Sequence, residues 1–241
     1  MIRTSLIAGL LLAATCSSPL PPPSDAEQQA AIQALDLLQR VQITTLAGAF
    51  EAISTHSHTR HTRIVRQTNR HFRTSSRVVH YGPSRVPVVL GERIDEYFGE
   101  TLQLPSDVAD LPSAIASESL NYTIPRFRDE YTYRVRSDTL IWTRPAQVID
   151  ISARPGSNQD VRHARYVIDQ ASGILTAYEL EISSLDMLYK EHSHYLFQLR
   201  PGLGDMWVPY QAHIDIRLGL PLGRSRYLTR HITCYNYDGG L

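Results

Sequence analysis

The sequence predicts a mainly β protein of the α+β class, in which long antiparallel strands pack on one N-terminal helix. Three observations predict it. Apolar residues recur at every second position through most of the chain, the spacing of strands with one covered face. One stretch near the N-terminus repeats instead at 3.6 residues and opens with a helix-start signature. Short glycine-bearing turns separate the alternating runs, as in a meander whose strands pair with their sequence neighbours.

The chain has 241 residues, and residues 1–15 read as a signal peptide. Arg3 supplies a positive charge, and Leu6 to Ala14 is an apolar run shorter than the ~20 helical residues that cross a bilayer. Leu12-Ala13-Ala14-Thr15-Cys16 resembles the lipobox of bacterial lipoproteins, which implies cleavage before Cys16 and acylation of that residue. Two positions depart from the box: Leu12 stands four places before the cysteine rather than three, and Thr15 replaces Gly or Ala. The plainer alternative is a cleaved signal with an incidental cysteine. Residues 16–23 continue as Ser17-Ser18-Pro19-Leu20-Pro21-Pro22-Pro23, a stiff extended tether that makes sense between an anchor and a domain. Residues 24–241 read as one domain, since a chain of ~200 residues buries roughly 70% of its unfolded surface in a single core.

Ser24-Asp25-Ala26-Glu27 is a capping box, and Ile32, Leu35, Leu38 and Val41 form the apolar stripe behind it. A helix from Asp25 to Val41 follows. From Phe50 onward the dominant period is two. Val208, Tyr210, Ala212, Ile214, Ile216 and Leu218 alternate with Gln211, His213, Asp215 and Arg217. Tyr131, Tyr133 and Val135 alternate with Thr132, Arg134 and Arg136, and Ser193, Tyr195, Phe197 and Leu199 with His192, His194 and Arg200. Ile174, Thr176, Tyr178, Leu180 and Ile182 make a further strand. The stretch from Leu104 to Leu120, with Asp110 and Ser113 as caps and prolines at turn starts, predicts one or two short inserted helices.

Three segments carry a resemblance. Ala164-Arg165-Tyr166-Val167-Ile168-Asp169-Gln170-Ala171-Ser172-Gly173-Ile174-Leu175 is a strand ending in Asp, a turn ending in Gly and an immediate return. Gln147-Val148-Ile149-Asp150-Ile151 precedes it, and Met206-Trp207-Val208-Pro209-Tyr210 opens a later strand. Together they resemble the bacterial outer-membrane lipoprotein-sorting carriers (LolA/LolB-like) and a periplasmic sensor of the same fold, over roughly Tyr131 to Tyr237. The resemblance implies a curved antiparallel sheet forming an incomplete β-barrel that wraps the N-terminal helix and the short inserted helices. It also implies a concave apolar cavity, which in the carriers holds the acyl chains of a lipoprotein. The residues assigned to that face by alternation are Tyr133, Tyr178, Tyr195, Phe197, Tyr210 and Ile214, with Leu111 and Ile115 from the inserted helix. One feature departs from the carriers: they shuttle, whereas a chain anchored at Cys16 stays on its membrane.

The remaining chemistry argues against an enzyme. Net charge is zero, with 24 basic and 24 acidic side chains, so there is no basic stripe for nucleic acid. No Gly-x-Ser-x-Gly elbow, phosphate loop or cysteine-rich zinc spacing is present. His56-Ser57-His58 and His192-Ser193-His194 each place two histidines on one strand face, a spacing that can clamp a metal. Arg60, Arg63 and Arg66 crowd the first pair with positive charge, so both pairs are read as exposed polar strand faces and no metal or cofactor is expected. Cys234 reads as a small inward-facing residue, and Trp142 and Trp207 as core.

The expectation is therefore a non-enzymatic protein of the cell envelope, on its periplasmic face and lipid-anchored to the outer membrane through Cys16. Its concave face would take a lipid or lipoprotein acyl chain. The alternative is a structural or regulatory protein of the same fold, with a filled cavity and an envelope protein as partner.

Overall fold

The computed structural model describes residues 20–51, 57–68, 71–82, 86–97, 121–185, 190–202, 206–220 and 224–237. Cys16, Leu111, Ile115 and the predicted inserted helices between Leu104 and Leu120 lie outside those residues. The capping box forms as the sequence predicts. Ser24 accepts from the Glu27 backbone N–H, and the Glu27 carboxylate accepts from the Ser24 backbone N–H at 2.7 Å. Helix α1 (Asp25–Leu38) ends one turn earlier than its stripe suggests, and a second helix α2 (Ile43–Glu51) follows.

Ten strands then form one open antiparallel sheet: β1 (His58–Thr68), β2 (Phe72–Tyr81), β3 (Pro87–Tyr97), β4 (Tyr131–Ile141), β5 (Arg144–Ala153), β6 (Val161–Asp169), β7 (Leu175–Leu185), β8 (Lys190–Pro201), β9 (Trp207–Leu220) and β10 (Arg224–Tyr235). Their order across the sheet is β3-β2-β1-β10-β9-β8-β7-β6-β5-β4. Two meanders, β1–β3 and β4–β10, are thus joined where β1 pairs with β10, and β3 and β4 are the edge strands among the described residues. Two short 3-10 turns, Asn121–Thr123 and Pro125–Glu130, lead into β4.

The turn after β6 shows how the meander is made. Asp169 is almost fully buried, and Oδ2 accepts from the Ser172 backbone N–H at 2.9 Å and from the Ser172 hydroxyl at 2.6 Å. Gly173 closes the turn at φ +69°, a conformation that costs a side-chain-bearing residue about 1 kcal/mol or more. Burial raises the Asp169 pKa, but the two bonds from Ser172 and the nearby Arg144 outweigh it and hold the carboxyl below its usual range. The β4–β5 hairpin uses Trp142 and Thr143, both at positive φ (53° and 69°), which a two-residue hairpin loop requires. Trp142 is consequently at the surface, 45% exposed, and not in the core as the sequence suggested.

Alternate residues of β4–β10 meet in the main core, and a smaller cluster of Ala146, Val148 and Val167 is buried apart from it. Helix α1 lies against β4, and α2 against β7 and β9, so both helices cover the same face. That face is the inner one.

Candidate functional site

Residues directly opposite each other in an antiparallel pair share a face, which extends the inner face from the core outward strand by strand. Within the core, Tyr133, Tyr178, Tyr195, Phe197 and Ile214 all point inward, and each is less than 8% exposed. The space in front of them is occupied. Phe50 of α2 meets Phe197 edge-on at 5.9 Å between ring centres. Tyr122 is completely buried; its hydroxyl is 2.5 Å from that of Tyr166, and its carbonyl accepts from the Tyr133 hydroxyl at 2.7 Å. Tyr166 and Tyr178 lie ring against ring at 4.9 Å. Burial raises the Tyr133 hydroxyl to about 12 and pushes Tyr122 and Tyr166 higher still, so all three are neutral hydrogen-bonding groups.

Tyr210 departs from the alternation. Gln198 pairs with Gln211 and Leu199 with Pro209, which leaves Tyr210 as the extra residue of a β-bulge. It is half-buried, edge-on to Trp142 at 5.3 Å, with the Arg200 guanidinium 5.7 Å above its ring. The sequence reading assigned it to the concave ligand face by alternation, and a bulge shifts a strand's phase without changing its composition.

The inner face continues beyond this core. Ile232, buried, stands opposite Ala212 of β9 and Thr62 of β1, so Thr62, Ile64 and Arg66 share its face. Ile64 is in register with Arg230 and Ser75, and Arg66 with Leu228 and Arg73. Leu228 in turn faces Ile216. Apart from Ile232 these side chains are only half-buried, in contrast to those of the core. Arg60 marks the boundary: its guanidinium donates to the Phe50 carbonyl at 2.9 Å and to the Tyr81 hydroxyl, clasping the last turn of α2.

The outer face of the same strands is a ladder of charges. Arg136 and Arg165 both donate to Asp150 at 2.6 Å, Arg165 lies 3.7 Å from Glu179, and Glu179 is 3.0 Å from His194. The row continues through His213, whose ring is 6.1 Å from that of His194 and 4.9 Å from that of His231. Glu179 is thus bound into the ladder. A pocket of about 320 Å3 opens at one end, lined by Glu181, His192, His194, Asp215 and Arg217 among others. His58 is not on an exposed face: it is 3% exposed and stacks between Tyr81 and Tyr237 at 4.9 and 5.2 Å. Among the described residues no three or more His, Cys, Asp or Glu side chains are grouped to hold a metal ion. Cys234 is buried, and burial raises its thiol to about 11, the setting of an inert packing residue.

Sequence reasoning missed α2 and the Tyr122 plug. The signal for α2 was there: Ile43, Leu46, Ala47 and Phe50 follow the i, i+3, i+4, i+7 rule. Nothing in the local pattern identifies Tyr122, whose role depends on Tyr166 of a distant strand.

No family model matches the chain, and no curated protein matches it. Among solved structures it is similar to a DUF1329 family protein from Desulfovibrio piger, at 13% identity over 90% of this chain and 95% of that one, with a TM-score of 0.28. It is similar to a putative outer membrane lipoprotein-sorting protein domain from Vibrio parahaemolyticus, at 9% identity, 88% and 94% coverage and a TM-score of 0.27. A chain of the Pseudomonas aeruginosa MucA/MucB complex gives 14% identity, 84% and 94% coverage and a TM-score of 0.26. Identities and scores this low leave the function to be read from this chain's own geometry.

Proposed function

We propose that the protein is a non-enzymatic binding protein of the cell envelope that takes an acyl chain of a lipid or lipoprotein on the inner face of its open sheet. The observation that carries the reading is the half-buried apolar strip Ile64, Leu228 and Ile216, which continues the buried core across β1, β10 and β9. The site moves accordingly. Tyr133, Tyr178, Tyr195, Phe197 and Ile214 form its floor and its packed neighbour, while the ligand lies beyond the Arg60 clasp. Each Å2 of acyl surface covered there contributes ~25 cal/mol without any positioned acid or base. Anchoring through Cys16 at the periplasmic face of the outer membrane belongs to the same proposal. Among the described residues no helix is long and apolar enough to cross a membrane.

A second reading, an interaction protein with an envelope protein partner, is favoured by a separate observation. Edge strand β3 and the residue before it expose Val86, Val88, Val89, Leu90 and Ile94, each at least 46% exposed. An apolar edge strand is a template for an added strand.

Native mass spectrometry of the full-length protein, with a fluorescent fatty acid titration alongside, tests the choice. A reproducible lipid adduct and saturable binding support the acyl reading. A clean apo mass together with no saturable binding sinks it and leaves the partner reading.

A further inference from the structure

Two sets of arginines in this protein contrast. Just after helix α1, on the outer face and on the edge strand they are neutralised: Arg40 by Asp36 at 2.5 Å, Arg93 by Asp95 at 2.9 Å, Arg136 and Arg165 by Asp150 at 2.6 Å, and Arg217 by Asp215 at 3.1 Å. On the inner face of β10, β1 and β2 like charges are brought together instead. Arg66 stands directly opposite Arg73, and Arg230 is in register with Ile64, its diagonal neighbour. Among the described side chains no carboxylate forms an ion pair with Arg66 or Arg73. The Arg66 Nε is buried with no hydrogen-bond partner. On that face the backbone register sets acidic residues on β3, with Glu92 opposite Arg77 and Glu96 directly opposite Arg73, two strands away from Arg66 and three from Arg230.

A like-charged pair facing across two strands is destabilising, and a buried guanidinium donor without an acceptor adds to the cost. Burial, together with the charges of Arg73 and Arg230, lowers the Arg66 pKa, which is the electrostatic signature of that strain. An oxyanion placed between the guanidiniums relieves both terms at once, because their planar forks match carboxylate and phosphate oxygens.

We propose that Arg66, Arg73 and Arg230 form a headgroup site for an anionic single-chain amphiphile, whose acyl chain runs from them along Leu228, Ile64 and Ile216. This rests on the acyl reading above and narrows it to lipids with an acidic head. The arrangement is that of an amphiphile reversed: cations beside an apolar strip, on one face, in adjacent strands.

The test uses two lipids with the same chain, palmitoyl lysophosphatidic acid and monopalmitoylglycerol, titrated into the full-length protein below their micelle concentrations. The anionic lipid is expected to bind at least about tenfold tighter, about 1.4 kcal/mol, because only its head accepts charge-assisted hydrogen bonds from the guanidiniums. Arg66→Gln combined with Arg73→Gln is expected to remove that preference while the neutral lipid binds as before. Equal affinity of the unaltered protein for the two lipids overturns the headgroup site and leaves the acyl reading standing. Binding of neither lipid overturns both and points to an acidic protein segment as the occupant of the arginines. The comparison of lipids needs no substitution, so it stands even if the double variant does not fold.

Discussion

The two halves of the inner face are made by the same strand alternation, yet one is closed and the other is not. Over β4 to β9 the inward residues are Tyr133, Tyr166, Tyr178, Tyr195 and Phe197, and helices α1 and α2 with Tyr122 cover them. Over the far part of β10, β1 and β2 the inward residues Leu228, Arg230, Ile64, Arg66 and Arg73 mix apolar and cationic side chains, and they stay only half-buried. Tyrosine can be buried cheaply when its hydroxyl finds a partner, as Tyr133 does on the Tyr122 carbonyl. A guanidinium cannot be covered by an apolar helix without losing its hydration. The difference teaches that residue type, not strand geometry, decides which part of an open sheet becomes core and which remains available to a ligand.

The sharpest way to break the comparison is to cut a hole in each half. Phe197→Ala removes a fully buried ring packed on Phe50 and is expected to cost about 3–5 kcal/mol. Ile64→Ala, on the open half, is expected to cost only about 1 kcal/mol. Urea midpoints measured side by side decide the matter. Similar losses at both sites mean that the second half is packed as tightly as the first, and the ligand site would have to be sought elsewhere.

A smaller effect probes how the closed half is sealed. Tyr166→Phe deletes one hydroxyl and leaves the Tyr122 hydroxyl, in a completely buried residue, without its 2.5 Å partner. Leaving such a group unsatisfied costs about 1–3 kcal/mol. The fold should survive with a lowered melting temperature and unchanged binding on the open half. If lipid affinity rises, the plug and the ligand compete for one space, and the two halves are not independent.

How much of this was legible in the sequence depends on the range of the interaction. The capping box at Ser24 and Glu27, the Asp169–Gly173 turn and the alternation of β4 to β10 are local, and all could be read. Phase errors entered where a bulge intervenes, as at Tyr210, because an inserted residue leaves no mark on composition. Trp142 was misplaced because its positive φ belongs to a two-residue hairpin loop that usually announces itself with Asn-Gly. The arginine site was the least legible part. Arg66, Arg73 and Arg230 lie far apart in the chain, and the arginines of β1 looked like a reason to reject a cation, not a reason to expect an anion. Only the pairing of β1 with both β2 and β10 brings the three together.

The smallest expected effect lies at the border of the two halves, on the outer side, where β9 meets β10. His213 is held below the ordinary histidine value of 6.5 chiefly by burial, then by the neighbouring His231 and His194, with Asp215 opposing. Above pH 6.5 the ring is neutral in both the folded and unfolded chains, and it contributes nothing to the pH dependence. As pH falls below 6.5 the unfolded chain takes up the proton first, so stability declines until the folded ring also titrates. The lowered carboxylates Asp150 and Asp169 exert their effect well below that window, and the raised tyrosines and Cys234 well above it. Thermal melts from pH 7.5 to 5.5 should therefore fall with acidification, and His213→Asn should flatten the slope. A slope unchanged by the substitution would mean that the β9–β10 border carries no proton-linked strain, and that the halves are joined there as firmly in acid as at neutrality.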